Sequence, residues 1–242
     1  MRLAGAPSSG DKVSLDAEQS HHLATVLRVK QGEGVEALAQ DGSRWRCSVL
    51  QRGAPVILHV HGLYQGPDAD PLGHLSVAIS TLKGGRTDDL VRSLTELGVS
   101  KILIYSSARS VARLGPDKVS KRLIRWRAIA EGATRQCGRC SVPELTYEAG
   151  LPPGGPAHVF LWEEAEPSQG AADVLARCAS EGSLTVLVGP EGGLEAQEGQ
   201  GLMEAGWKPA SLGPRLLRAE TAAVAAAVLG LAALREGGYS PS

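Results

Sequence analysis

The chain has 242 residues, of which 43% are apolar and 21% charged, with a net charge of −1. That composition belongs to a globular protein with a real core, in one large domain or two smaller ones, and it excludes a disordered or low-complexity chain. The near-neutral total hides an asymmetry, since Ser80 to Leu145 holds 13 Lys and Arg against 6 Asp and Glu, and Thr146 onward holds 5 against 12. A basic middle segment suits a polyanion, or else is simply a solvated helix face.

Met1 to Lys12 has no apolar stretch of the secretory kind, so a cytoplasmic protein is expected. Asp16 is placed to cap a helix carrying Leu23, Val26 and Leu27 on one face. Val35 to Ala39, the Asp41-Gly42 turn and Trp45 to Leu50 read as a hairpin, and Pro55 to Leu63 as another strand. A small barrel with one helix packed on it is the expected outcome. The stretch Gln65 to Gly73, QGPDADPLG, has the composition of a linker and divides the chain into residues 1–70 and 71–242.

Beyond the linker the pattern alternates. Strands are expected at Leu75–Thr81, Ile102–Tyr105, His158–Trp162 and Leu184–Val188, and helices at Asp88–Leu97, Asp117–Gln136, Ala171–Glu181, Ala196–Ala205 and Glu220–Arg235. Such alternation predicts an α/β domain with a largely parallel sheet and a ligand site at the carboxyl ends of its strands. The longest apolar run, Ala222 to Leu234, is too short to cross a bilayer, so no membrane partner is expected. Cys137 and Cys140 form a C-x-x-C pair without a second pair or nearby His, so no metal is expected and reduced thiols are the better reading.

Two segments carry chemistry. In LTVLVGPEGGL, Leu184 to Leu194, a strand runs into a glycine turn whose backbone could approach a ligand closely; it is neither a Walker loop nor G-x-G-x-x-G. In SLGPRLLRAETA, Ser211 to Ala222, a Gly-Pro turn leads through Leu216-Leu217-Arg218 into an alanine-rich helix. Glu220 and Thr221 suit its N-terminus on capping grounds alone, which leaves Arg218 unexplained.

These segments, with others in the same order, resemble the RsmE family of 16S ribosomal RNA uridine-N3 methyltransferases in the SPOUT superfamily. His22-Leu23 with Val26-Leu27-Arg28, Lys83 with Thr95 to Val99, and Arg109-Ser110-Val111 match three of its motifs. Trp126, Glu131, Ala133, Gln136, Arg139, Val142 and Pro143 match a fourth, and GPEGG and LRAETA complete the set across nearly the whole chain. Gly132 and Cys137 depart from the family's usual Ala and Ser.

The resemblance implies an N-terminal PUA-like barrel and a C-terminal SPOUT domain tied in a deep trefoil knot, a feature almost absent from proteins and not derivable from periodicity. It further implies S-adenosylmethionine as cofactor, the small ribosomal subunit as partner, and a homodimer formed through the knotted domain. Cofactor contacts are expected at Thr81, Leu187, Gly189, Pro190, Glu191, Gly192, Gly193, Leu212, Gly213, Leu216, Leu217, Arg218 and Thr221. RNA contacts are expected at Arg28, Lys83, Arg113, Lys121, Arg122, Arg125 and Arg139, with Lys118 and Arg127 on the same basic stretch.

Uridine N3 must lose a proton. Arg139, Arg109 or Lys83 could stabilise the resulting anion, and Glu191 or Glu220 could accept the proton or be structural. Trp45 could stack on a base or belong to the core. The helix from Thr221 to Leu234 could be an interface or core. Competing readings are a methyltransferase for ribose 2′-oxygen in another RNA, a non-catalytic RNA-binding assembly factor, and a redox or metal protein built on Cys137 and Cys140.

Overall fold

The computed structural model describes residues 1–41, 43–64, 73–83, 85–109, 115–166, 168–179 and 182–236. The chain divides into two compact units, Met1–Ala69 and Asp70–Ser242.

In the first unit, β1 (Lys12–Ser14), β2 (Gly34–Leu38), β3 (Arg44–Gln51) and β4 (Ile57–Leu63) form an antiparallel sheet in the order β1-β4-β3-β2. A parallel bridge from Arg2 to Leu38 extends it at the β2 edge. Inward-facing Ala37, Cys47, Val49, Leu58 and Val60 pack with Leu3, Leu15 and Leu23 into one core. The helix α1 (Ala17–His21) begins where Asp16 accepts the amide of Gln19 at 2.7 Å, as its sequence predicts.

The apolar stripe expected on that helix does not hold. After α1 the chain widens into a π-turn, His22–Val26, in which the Leu27 amide donates to the His22 carbonyl five residues back. The wider turn breaks the 3.6-residue period, so Leu23 is buried while Val26 and Leu27 are 60% and 57% exposed. Trp45 is half-buried against the edge of this core, and its indole nitrogen donates to Ser43.

The second unit is a six-stranded, all-parallel sheet in the order β10-β8-β9-β5-β6-β7. Its strands are β5 (His74–Ser80), β6 (Lys101–Tyr105), β7 (Glu144–Glu148), β8 (His158–Leu161), β9 (Ser183–Val188) and β10 (Lys208–Ala210). The helices α2 (Arg86–Leu97), α3 (Pro116–Cys137), α4 (Ala171–Cys178) and α6 (Ala219–Glu236) contribute to the larger core, while α5 (Ala196–Glu204) supplies Leu202 to a second cluster with Phe160, Leu187 and Trp207. Residues 180 and 181, the end of the helix expected to reach Glu181, lie outside the described residues.

Two strands escape the sequence pattern. The segment ELTYE of β7 shows only one fully buried side chain, Leu145. In β10, Pro209 argues against a strand, yet β10 is the sheet's edge and pairs on one side only, where a missing amide is tolerated. The chain enters the sheet at β5, winds outward through β6 and β7, and returns through β8 to place β9 beside β5. The β5–β9 junction is therefore where the winding reverses, and the carboxyl ends of the strands there are where a ligand is expected.

Candidate active site

A pocket of about 230 Å³ opens at the carboxyl ends of β8, β9 and β10. Leu161, Val188 and Ala210, the last residues of those strands, line it beside Trp162 and Glu163. One wall is the glycine turn after β9, represented by Gly189, Pro190 and Gly193. The other is the loop from Leu212 to Leu217, with Ala219 and Ala222 of α6 at its end.

Local chemistry fixes the glycine turn. The Gly193 amide donates to the Pro190 carbonyl at 3.0 Å, and Gly193 has φ +71°, in the left-handed region that glycine enters without a Cβ clash. Beneath it, the buried Tyr105 hydroxyl donates to the Val188 carbonyl at 2.9 Å and fixes the last residue of β9. Burial, with Glu198 nearby, pushes the Tyr105 pKa well above its usual value, so the phenol stays a neutral donor.

The loop after β6 braces the same turn. Arg109 Nη1 donates to the Gly192 carbonyl at 3.0 Å and its Nε lies 3.4 Å from Glu195, while the Ala108 amide donates to Glu198. From the other side, Glu191 accepts the Lys83 amide at 3.3 Å and pairs with Arg86 at 3.2 Å.

Of the residues expected to bind cofactor, Gly189, Pro190, Gly193, Leu212, Gly213, Leu216 and Leu217 line the pocket. The others are placed elsewhere. Thr81 is buried just past β5 with its amide on the Tyr105 carbonyl, and Leu187 faces the α5 side, where Phe160 and Leu202 cover it. Glu191 and Gly192 are occupied by Arg86 and Arg109, Arg218 is exposed, and Thr221 lines a groove between α2 and α6. Sequence reasoning missed Leu161, Trp162 and Glu163, although the first two end a strand it did identify and Glu163 follows directly. It also missed Ala210, which lies on the unrecognised β10, and Arg86.

Arg139 needs correction. Expected among the catalytic and RNA-contacting cations, it is only 3% exposed, and its Nη1 donates to the carbonyls of Thr95 at 2.8 Å and Val99 at 3.0 Å. Those carbonyls end α2 and precede β6, at the amino end of the sheet and opposite the pocket. The cation completes a helix C-terminus, where carbonyls lack partners and the dipole favours positive charge. Arg125 is also engaged, since its Nε and Nη2 both donate to Asp88, which further accepts the indole N–H of buried Trp126. Lys83, Lys118, Lys121, Arg122 and Arg127 are exposed, as is Arg28, whereas Arg113 lies outside the described residues. Cys137 donates to the Thr134 carbonyl, and among the described residues no cluster of three or more metal-ligating side chains occurs.

A parallel sheet with a glycine-walled pocket at its strand ends, preceded by a separate β-rich unit, defines a two-unit α/β protein that binds a small ligand. The family model described as an RNA methyltransferase domain matches residues 68–230, and that of an RNA methyltransferase PUA domain matches residues 15–54. The ribosomal RNA small subunit methyltransferase E of Mycobacterium tuberculosis is 32% identical over 231 residues, covering 91% of this chain and 86% of that protein. Its namesake from Bacillus subtilis is 28% identical, covering 86% of this chain and 85% of the relative. The crystal structure of the Neisseria gonorrhoeae enzyme of that name, bound to S-adenosyl methionine, superposes with a TM-score of 0.76 at 26% identity, covering 94% of both chains. This chain belongs to the ribosomal RNA small subunit methyltransferase E family.

Proposed function

We propose that this protein transfers a methyl group from S-adenosylmethionine to N3 of a uridine near the 3′ end of 16S ribosomal RNA in the small subunit. The observation that carries the proposal is the pocket whose two walls, Gly189–Gly193 and Leu212–Leu217, are the two segments that sequence reasoning assigned to the cofactor. Its lining fits that group: Leu212, Leu216 and Leu217 offer an apolar wall, and the turn at Gly189 and Gly193 presents backbone without side chains. Leu216 is 87% exposed at the pocket's rim, a position that favours burial by a ligand or a second copy of the chain.

The cofactor supplies an already activated methyl group, so the protein's own task is to align the acceptor and help N3 lose its proton. Lys83 and Arg109 flank the glycine turn from the loops after β5 and β6, and we assign them to stabilising negative charge on the uracil ring. Glu191 is tied to Lys83 and Arg86, so it acts as a strut of the turn rather than a free base. Glu191→Gln is expected to lower kcat by less than about tenfold, against roughly 10²–10⁴ for loss of a general base. Steady-state methyl transfer at saturating cofactor decides between these, and a loss beyond a hundredfold restores Glu191 as the base.

Residues 1–70 form the RNA-binding PUA-like unit and 71–242 the methyltransferase domain in this reading. The exposed Lys118, Lys121 and Arg122 of α3 track phosphates. Changing all three to Ala is expected to weaken RNA binding and to flatten the slope of log K against log salt by about 2. An unchanged slope in a filter-binding titration would mean the face is only solvated. The trefoil knot, the homodimer and a cytoplasmic location belong to the same proposal on the strength of family membership. Among the described residues no helix is long and apolar enough to cross a membrane.

The decisive experiment is methyl transfer from labelled S-adenosylmethionine to small subunits lacking their native methylations, with the product nucleoside identified by mass spectrometry. One N3-methyluridine near the 16S 3′ end is expected. Cofactor binding without transfer to subunits or naked RNA would move the substrate to another RNA, and a ribose 2′-O-methyl product would change the reaction.

A further inference from the structure

The two walls of the pocket come from segments that meet a common partner outside it. The glycine turn follows β9, and the leucine loop runs into α6. Arg86, the first residue of α2, reaches both: its Nη1 lies 3.2 Å from Glu191 Oε1 on the turn and 3.6 Å from Glu220 Oε1 in the first turn of α6. We propose that Arg86 is a positioning residue that clasps the two walls from behind and so sets the width of the cofactor pocket. The inference rests on the functional reading above.

Three observations favour a clasp over an incidental surface pair. First, the base of Arg86 is rigid. Its neighbour Thr87 is buried, its Oγ1 accepting the Leu82 amide at 2.9 Å, and Asp88 is anchored to Arg125 and Trp126 of α3. A guanidinium mounted on such a base holds its partners in place rather than following them.

Second, Glu191 is held twice, by Arg86 at the start of α2 and by the Lys83 amide in the loop that leads from β5 into it, so the glycine turn is tied to the β5–α2 connection at two points. Third, Glu220 has little else to hold it. Its Oε2 is buried with no hydrogen-bond partner among the described residues, so Arg86 supplies the counter-charge for a carboxylate drawn partly out of water. Two carboxylates share one cation, and without it they would repel each other across the gap between the walls. A planar guanidinium can bridge both, whereas a lysine ammonium is a point charge on a flexible stem.

The test measures cofactor affinity by titration calorimetry and steady-state kinetics on the full chain carrying Arg86→Ala, Arg86→Lys, Glu191→Gln, and the Arg86→Ala/Glu191→Gln pair. Arg86→Ala is expected to raise Kd and KM for S-adenosylmethionine about tenfold, with kcat at saturation falling less than about threefold. Arg86→Lys should recover part of the loss. The double variant should bind scarcely worse than Arg86→Ala alone, because both changes break one linkage. Arg86 is half-exposed, so melting temperatures should stay close to that of the wild type. Wild-type affinity in Arg86→Ala would overturn the clasp, as would fully multiplicative losses in the double variant. A collapse of kcat at unchanged KM would also overturn it, by placing Arg86 on the reacting atoms. If the wild-type chain itself binds no S-adenosylmethionine, the functional reading fails and the clasp falls with it, a result distinct from all of these.

Discussion

Arg139→Met is expected to destabilise the second unit by about 3 kcal/mol while leaving turnover of the folded protein nearly intact. The side chain is buried and its Nη1 serves the Thr95 and Val99 carbonyls at the end of α2. Hydrogen bonds from a charged donor contribute about 1.5–3 kcal/mol each, and losing them takes that donor from both carbonyls in a site that water does not readily reach, Thr95 keeping the Gly98 amide. Met keeps much of the aliphatic packing and removes the cost of burying the cation, which holds the net loss near the lower end for breaking a buried charged contact. For a unit of this size the melting midpoint should fall by roughly 6–12 °C. Thermal melts by circular dichroism measure that shift, and kcat taken well below the new midpoint measures the chemistry. A full-strength melt with a turnover loss beyond a hundredfold would return Arg139 to the reaction and refute the structural role.

Arg139 also shows where a sequence stops being legible. Counting charge from Ser80 to Leu145 finds a basic segment, yet it cannot separate cations that face water from those spent inside the protein. Lys121 and Arg122 are exposed, Arg125 is exposed yet committed to Asp88, and Arg139 is buried at a helix end. Those distinctions depend on partners 37 to 44 residues away in the chain, which no local pattern reports.

Elements with strong periodicity were legible. The strands at 75–81 and 184–188 and the long helix from 117 appear with ends moved by a residue or so, because their apolar positions must face the core. The glycine turn and the leucine loop stand out in the sequence, and the structure brings them to one pocket although β9 and the loop are separated by α5 and β10. What failed did so for physical reasons. The π-turn at His22–Val26 changed the period under Val26 and Leu27, and β10 carries a proline that only an edge strand tolerates. Arg86 gave no local signal, since its meaning lies wholly in the two carboxylates it joins.

The glycine turn allows an internally controlled test, in which Gly193→Ala should be the most damaging of three like substitutions. Gly193 has φ +71°, so any side chain there costs about 1–2 kcal/mol in backbone strain. The position its Cβ would take is also filled by the Glu163 carboxylate. Glu163 is exposed and can swing aside, but the backbone cannot relax as easily, because the Gly193 amide closes the turn onto Pro190 and the next residue, Leu194, is buried. Gly189→Ala is intermediate, since its Cβ would come 3.2 Å from Leu194 Cγ without positive φ. Gly192→Ala should cost little stability, its Cβ meeting Arg109 carbons at an ordinary 3.5 Å. Melting temperatures should therefore fall in the order Gly193, Gly189, Gly192, with Gly193→Ala losing roughly 3–6 °C and its cofactor Kd rising at least about tenfold. Calorimetric titration supplies the affinities. If Gly192→Ala weakened cofactor binding more than Gly193→Ala at an unchanged melting point, the ligand would approach the turn from the Arg109 side, and the pocket walled by Leu212 and Leu217 would lose its claim to the cofactor.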